Sequence, residues 1–271
     1  MKLFLNPSIE TQLEHLGKNL PQALGLAGPY GVGLGTIARE LAGNDLVEYV
    51  QPTDSSEEVD ALTGSIKVKT IREIYEKTRG KSISRQIVII DDADKMTIGA
   101  QNVFLKLLEE PHANLYFILT THDLEKLLPT IRSRLQVLTI PRLNPNQNDV
   151  MLQEFGLESQ KTKVLFIADG LPAELARLAN DTEYFDKREK QFRKAREFLS
   201  STLYQKIIQI NSLRDKTSAL EFCDTLLTIL KRAHDTKPDI VITRQIDHIL
   251  AAEELIQANG SVRLQLLRAM V

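Results

Sequence analysis

Apolar residues recur at helical spacing between residues 8 and 20, where Ile9, Leu13, Leu16 and Leu20 share one face and Pro21 halts the run. The short apolar stretch "ALGLAG" then predicts a strand, a glycine-rich segment follows, and "TIARELAG" predicts a helix ended by Gly43. Farther on, "LVEYV" reads as a strand, "QPTDSSEEVD" as a polar loop and "KTIREIYEKTRG" as an amphipathic helix closed by Gly80. The clearest strand signal is "QIVIIDDAD", because Ile87 to Ile90 form an unbroken β-branched run suited to a strand covered on both faces. A helix "IGAQNVFLKLLEE" stopping at Pro111, a strand "LYFILTT", a helix around "LEKLLPTIRSRL" and a strand "QVLTI" complete the series. Strands alternating with helices predict βαβ units and a parallel sheet, hence an α/β fold.

The alternation ends at "PRLNPNQND", residues 141 to 149, where two prolines, three asparagines and no apolar period predict a linker. Beyond it "NDVMLQEFGL", "KTKVLFIADG" and "LPAELARLAND" read as short helices, and from about residue 184 the helices lengthen, with a break near "HDTKPD". Three parts are expected: an α/β domain over 1–140, a small helical domain over 141–183 and a helical C-terminal domain over 184–271. In the last, Leu255, Leu264, Leu266 and Leu267 are candidates for helix packing.

Composition narrows the class. The chain of 271 residues is 42% hydrophobic and 26% charged, with a formal net charge of -2 and a pI near 6.3. That balance is ordinary for a soluble globular protein and advertises no broad basic surface for a polyanion or an anionic membrane. A single cysteine, Cys223, set among apolar residues in "ALEFCDTLL", cannot form an internal disulfide and reads as a small buried hydrophobe. The opening "MKLFLNPSIE" has too short an apolar patch for a secretory signal, and no stretch approaches a membrane span, so a cytoplasmic protein is expected.

Candidate chemistry starts at "GPYGVGLGT", Gly28 to Thr36. A phosphate-binding loop reads G-x-x-x-x-G-K-[ST], with lysine on the terminal phosphates and a hydroxyl on Mg²⁺. Counting from Gly28 to Gly33 puts Leu34 at the lysine position and Gly35 at the hydroxyl position. The spacing survives while cation and metal ligand are gone. Strand, glycine loop and helix still form a context in which loop amides and a helix N-terminus converge on an anion. The strand ending in Asp91-Asp92 supplies carboxylates at its C-terminal end, where α/β sheets bind ligands. Read alone, "IVIIDDAD" is equally an acidic strand end turning into a loop.

The ordered words "DDADKMTIGAQNVFLKLLEEP", "YFILTT", "LLPTIRSRLQ" and "AAEELIQANGSVRLQLLRAM" extend the comparison. Together with the loop they resemble the AAA+ ATPases, and among these the bacterial DNA polymerase III clamp-loader subunits, the delta-prime type most of all. The likeness is dense over residues 21 to 140, weak over 145 to 185, and returns at 248 to 270. It implies an AAA+ P-loop parallel sheet domain over 1–140, a small helical lid over 141–183 and an all-helical C-terminal collar over 184–271. It also implies other clamp-loader subunits, motor and delta-type, as partners in a five-subunit ring, with the sliding clamp and primed DNA met through the complex.

By the same resemblance, Ser133-Arg134-Leu135 stands at the Ser-Arg-Cys motif, whose arginine reaches a neighbour's ATP as a trans-acting finger. A guanidinium suits that role through its fixed charge and planar fork. Among the degenerate nucleotide-binding positions are Gly28, Pro29, Gly31, Gly33, Leu34, Gly35 and Thr36. Asp91 and Asp92 form the acidic motif, with Asp92 one methylene shorter than the glutamate that orients water. Thr121, beside Thr120, is the sensor position, and Glu174 occupies the place of the second-sensor arginine, with Arg177 a turn later. The expectation is a chain that hydrolyses no ATP and binds ATP or ADP with Mg²⁺ weakly at most. Its rivals are an ATP-binding motor subunit with an altered loop and a non-replicative scaffold.

No metal site is expected, since "NDLVEYVQPTDSSEEVDALTG" lacks the cysteines of the family's zinc module and the five histidines show no ligand spacing. The basic-rich run "DKREKQFRKAREF" reads as a solvated helix face, with DNA or a neighbour as the alternative.

Overall fold

The computed structural model describes residues 5–78, 84–110, 114–213 and 215–270, with Glu158 described in its backbone only. Gly80 and Pro111, expected to end helices, and the first four residues lie outside that set. The chain divides into two compact units, residues 1–176 and 177–271.

In the first unit five strands, β1 (Ala23–Ala27), β2 (Leu46–Val50), β3 (Gln86–Ile90), β4 (Leu115–Thr121) and β5 (Gln136–Thr139), form one sheet of order β2-β3-β4-β1-β5. Every pairing is parallel, with Leu26 opposite Thr120 and Ile89 opposite Ile118. The β-branched run of β3 explains its place near the middle. Ile87 and Ile89 face one cluster with Leu24, Leu26 and Ile118, while Val88 and Ile90 face another with Phe117 and Leu119. Both faces are therefore apolar and must be covered.

The first face is covered by α1 (Pro7–Lys18) and α2 (Leu34–Ala42), the second by α3 (Val68–Thr78), α4 (Ile98–Glu109) and the single turn α5 (Pro129–Arg132). In α1 the expected stripe is buried through Ile9, Leu13 and Leu16, each contributing roughly 1.5–3 kcal/mol if fully removed from water. Asn6 caps it, its side chain accepting from the Ser8 amide at 3.2 Å, and Pro7 occupies the first turn where no amide partner is needed.

Two sequence expectations change. The helix expected around "LEKLLPTIRSRL" shrinks to the four residues of α5, because Pro129 starts it afresh and the chain must turn into β5. The expected linker 141–149 contains the start of α6 (Pro145–Glu154): Asn144 and Gln147 form a reciprocal capping box around Pro145. Its asparagines and proline are helix-entry chemistry rather than loop composition. Then α7 (Lys161–Ala168) and α8 (Pro172–Asn180) follow.

The second unit is helical: α9 (Thr182–Ser200), α10 (Leu203–Ser212), α11 (Lys216–Thr236), α12 (Ile240–Gln257) and α13 (Val262–Arg268). Their core holds Phe198, Ile210, Cys223, Leu226, Ile249, Ile256 and Leu266. Leu267 packs against it, but Leu255 and Leu264 are exposed at 40% and 62%, contrary to expectation. The inward face of α12 is Ile249, Ala252 and Ile256, which turns Leu255 outward. The basic run lies on α9, where Lys187 pairs with Glu221 at 3.0 Å and Arg188 with Asp224 at 3.8 Å, both on α11. No described helix is long and apolar enough to cross a membrane.

Candidate functional site

The glycine loop leaves β1 at its C-terminal end and enters α2, as a phosphate loop does. Gly28 donates its amide to the Thr121 carbonyl at 3.2 Å. A Cβ there would lie 2.5 Å from the Ile140 carbonyl oxygen, so only glycine fits between the strands. Gly31 and Gly33 have φ of +85° and +90°, and Gly33 is the N-cap of α2. The amides of Thr36 and Ile37 both donate to the Gly33 carbonyl at 3.0 Å. Pro29 accepts from the Val32 amide at 3.4 Å. Among the described residues, the amides of Gly31, Gly33, Leu34 and Gly35 have no hydrogen-bond partner. They are the anion-attracting part that the fold retains.

The metal side of the loop is filled. Leu34 is only 3% exposed and belongs to the core beneath the sheet. At Gly35 a Cβ would stand 2.9 Å from the Tyr49 hydroxyl and 3.1 Å from each carboxylate oxygen of Asp91. The Tyr49 hydroxyl donates to Asp91 Oδ2 at 2.5 Å, and the Thr120 hydroxyl donates to Asp91 Oδ1 at 2.6 Å. Thr120 Oγ1 in turn accepts from the Asp92 amide at 2.9 Å. Burial, then the hydrogen bond to Asp91, push the Tyr49 phenol well above its ordinary range, so it remains a proton donor. Each oxygen of the Asp91 carboxylate thus accepts a hydroxyl of the same chain.

The opposite side is filled as well. Asp92 sits in the left-handed region with φ 51° and is buried. Its Oδ1 lies 3.1 Å from His122 Nε2 and its Oδ2 3.7 Å from Lys95 Nζ. The other ring nitrogen of His122, Nδ1, lies 2.7 Å from the Gly28 carbonyl oxygen, a group that can only accept. Tyr30, from the loop, stacks on the imidazole with ring centroids 3.5 Å apart. The hydroxyl of Thr121, the sensor candidate, donates to Asp94 Oδ1 at 3.1 Å, which also accepts from the His122 amide at 3.0 Å.

Residues just before and within α8 close over the loop. Leu171 Cβ and Cδ1 lie 3.3 Å from where a Cβ at Gly31 would stand, and the Ala173 amide donates to the Gly31 carbonyl at 2.9 Å. Arg177, the suggested stand-in for a second-sensor arginine, lies against Tyr184, 3.9 Å from its ring centroid.

Ser133 and Arg134 stand apart from this cluster. The Ser133 hydroxyl donates to the Thr130 carbonyl at 3.0 Å. The Arg134 guanidinium donates through Nη1 to the same carbonyl at 3.0 Å and through Nη2 to Glu109 Oε1 at 3.0 Å. Its side chain is 39% exposed, with the fork held between the end of α4 and α5. Leu135 packs against the cluster on the α4 face.

The loop, Asp91, Asp92 and Thr121 are brought together as the spacing suggested. Tyr49 and Leu171 reach the site from β2 and from the segment before α8, which no local spacing marks, while Tyr30 and His122 sit inside the glycine loop and beside Thr121 without a motif role of their own. Among the described residues no group of three or more His, Cys, Asp or Glu side chains is placed to hold a metal.

Residues 11–144 match the family described as DNA polymerase III, delta subunit. A DNA polymerase III subunit delta' of Bacillus subtilis is 32% identical over 124 residues, 46% of this chain and 37% of the relative. A replication factor C small subunit of Haloarcula marismortui is 28% identical over 153 residues, 54% of this chain and 44% of the relative. The chain thus spans less than half the length of these two curated relatives. A gamma subunit-related DNA polymerase III protein of Thermotoga maritima superposes with a TM-score of 0.56 at 20% identity, covering 96% of this chain and 97% of that one, which shows a shared fold. Residues 11–144 are thus similar in sequence to the DNA polymerase III delta-subunit family, and the α/β part of the chain has an AAA+-like fold.

Proposed function

We propose that this chain is a delta-prime-like clamp-loader subunit that does not hydrolyse ATP and donates Arg134 to the nucleotide of a neighbouring motor subunit. It serves there as a stator during ATP-dependent loading of a sliding clamp on primed DNA. Its partners are the motor and delta-type subunits of a five-subunit ring, in the cytoplasm, with the C-terminal helical unit as collar. The observation that carries the non-hydrolysing part is the Tyr49 hydroxyl on Asp91, in the space a side chain at Gly35 would need. Without a lysine at 34, a hydroxyl at 35 or a free Asp91 oxygen, neither phosphate charge nor Mg²⁺ is met by side chains.

The finger assignment is supported by the Ser133-Arg134 pair at the position the resemblance implies, and by a guanidinium already oriented at the protein surface. In a reconstituted loader, Arg134→Ala is expected to abolish most of the clamp-dependent ATPase of the motor subunits and the loading itself. Unchanged ATPase and loading would overturn the assignment.

A second reading, a nucleotide-binding motor subunit, draws on the four unpartnered amides of the loop. Equilibrium titration of the isolated chain with labelled ATP separates the two. Weak binding indifferent to Mg²⁺ favours the stator, and micromolar, Mg²⁺-dependent binding favours the motor.

A further inference from the structure

The C-terminal helical unit contains a cavity of about 300 Å³ between α10, α12 and the end of α13. Its floor is apolar: Leu230 and Ile249 are 5% and 2% exposed and belong to the unit's core. Its polar lining consists of Lys206, Arg244, Gln245 and His248, with no carboxylate. Arg244 and His248 lie four residues apart on α12 and so project from the same face. Neither has a hydrogen bond or ion pair among the described residues. Lys206 faces the Phe198 ring at 5.6 Å rather than an acid.

Among the described residues, Lys206 and Arg244 thus stand over an apolar floor without an acidic partner. Elsewhere in this unit, Lys187 and Arg188 are matched by Glu221 and Asp224. At the start of α12 the lining residue Val241 is 57% exposed and extends the apolar floor outward. The missing complement is therefore a ligand with negative charge beside an apolar group. A volume of this size takes one or two side chains. The lining offers one aromatic ring, the His248 imidazole, over an enclosed apolar floor, which suits a single apolar side chain better than a run of stacked bases.

We propose that this cavity is a docking site for an acidic peptide segment of a partner protein, with one apolar side chain entering between α10 and α12 and flanking carboxylates meeting Lys206 and Arg244. Charge complementarity carries the choice of occupant. The floor supplies the anchor and the cations the register.

The test uses the full chain and a fluorescein-labelled hexapeptide of four aspartates followed by leucine and phenylalanine, read by anisotropy at low salt. Binding is expected in the tens of micromolar, with at least a tenfold loss when asparagines replace the aspartates. The cavity-lining variants Lys206→Glu and Arg244→Glu, combined and checked by thermal melting to retain the fold, should lose the acidic peptide and accept one with lysines in place of aspartates. Equal binding of the asparagine peptide, or of the acidic peptide by the charge-reversed variant, would overturn the proposal. So would tighter binding of an oligothymidylate that competes the peptide away, which would make the site a phosphate groove. Sedimentation showing a Lys206- and Arg244-dependent dimer without peptide would instead assign the cavity to a second copy of the chain.

Discussion

Tyr49 occupies the space that a side chain at Gly35 would take: its hydroxyl lies 2.9 Å from the position of a Cβ there and 2.5 Å from Asp91 Oδ2. A tyrosine hydroxyl from β2 thus fills the space beside the start of α2 and donates to the carboxylate at the end of β3. Glycine at 35 and tyrosine at 49 go together, since a β-carbon at 35 would compete with the Tyr49 hydroxyl for the same volume.

Restoring the consensus should consequently fail. The double substitution Leu34→Lys and Gly35→Thr is expected to give no Mg²⁺-dependent ATP hydrolysis. It should also destabilise the chain by about 2–5 kcal/mol, because a buried leucine becomes an ammonium and a threonine meets Tyr49 and Asp91. Phosphate release and urea unfolding check both parts. Hydrolysis in the double variant would show that Tyr49 yields easily.

Tyr49→Phe removes one donor from Asp91 while keeping the ring. It is expected to cost about 1–3 kcal/mol, the range for leaving a part-buried acceptor unsatisfied. The phenol's pKa is raised in the folded state, so its proton favours folding below the ordinary tyrosine pKa, and that contribution fades as pH climbs above it. The stability gap between wild type and Tyr49→Phe should therefore be constant near neutral pH and narrow above about pH 10. A gap that widens with alkalinity would contradict the assignment of Tyr49 as donor.

Much of this fold can be read from local pattern. The β-branched run of β3 announces a strand buried on both faces, and the loop spacing from Gly28 to Gly33 announces the turn into α2. Chemistry assembled across elements cannot be read that way. Tyr49 precedes Asp91 by 42 residues and His122 follows Gly28 by 94, and only the parallel register of β2, β3, β4 and β1 brings them together. The misjudged linker fails for another reason: asparagine and proline serve turns and helix entries alike, and the reciprocal bonds between Asn144 and Gln147 decide between them.

Cys223 is fully buried in the C-terminal core, and burial, then the charges of Glu253 and Asp224, push its thiol up to about 12. In the native chain it should resist an alkylating reagent at pH 8, with labelling that tracks global unfolding in urea. The sign for stability is negative with rising pH. Between the unfolded thiol's value near 9 and the folded value near 12, the unfolded state sheds its proton first and is favoured. Cys223→Ala should flatten that alkaline decline, and rapid native-state alkylation would refute the burial.

The ion pair of Arg134 with Glu109 separates structure from function at the proposed finger. The side chains are 39% and 46% exposed, so solvent and salt screen the pair and its removal should cost less than about 1 kcal/mol. Arg134→Ala should therefore melt within a few degrees of wild type. Any loss of stimulation of a neighbour's ATPase by that variant then reports the missing guanidinium rather than a damaged subunit. Arg134→Lys keeps the charge but replaces the fork by a point charge, and a single ammonium cannot reproduce the paired contacts that the guanidinium makes with the Thr130 carbonyl and Glu109. It is expected to assemble normally and recover only a small part of the stimulation, read as kcat of the reconstituted complex at saturating ATP with KM nearly unchanged. Full recovery by lysine would reduce the role of Arg134 to that of a local positive charge, and a large fall in melting temperature with either variant would return it to a structural one.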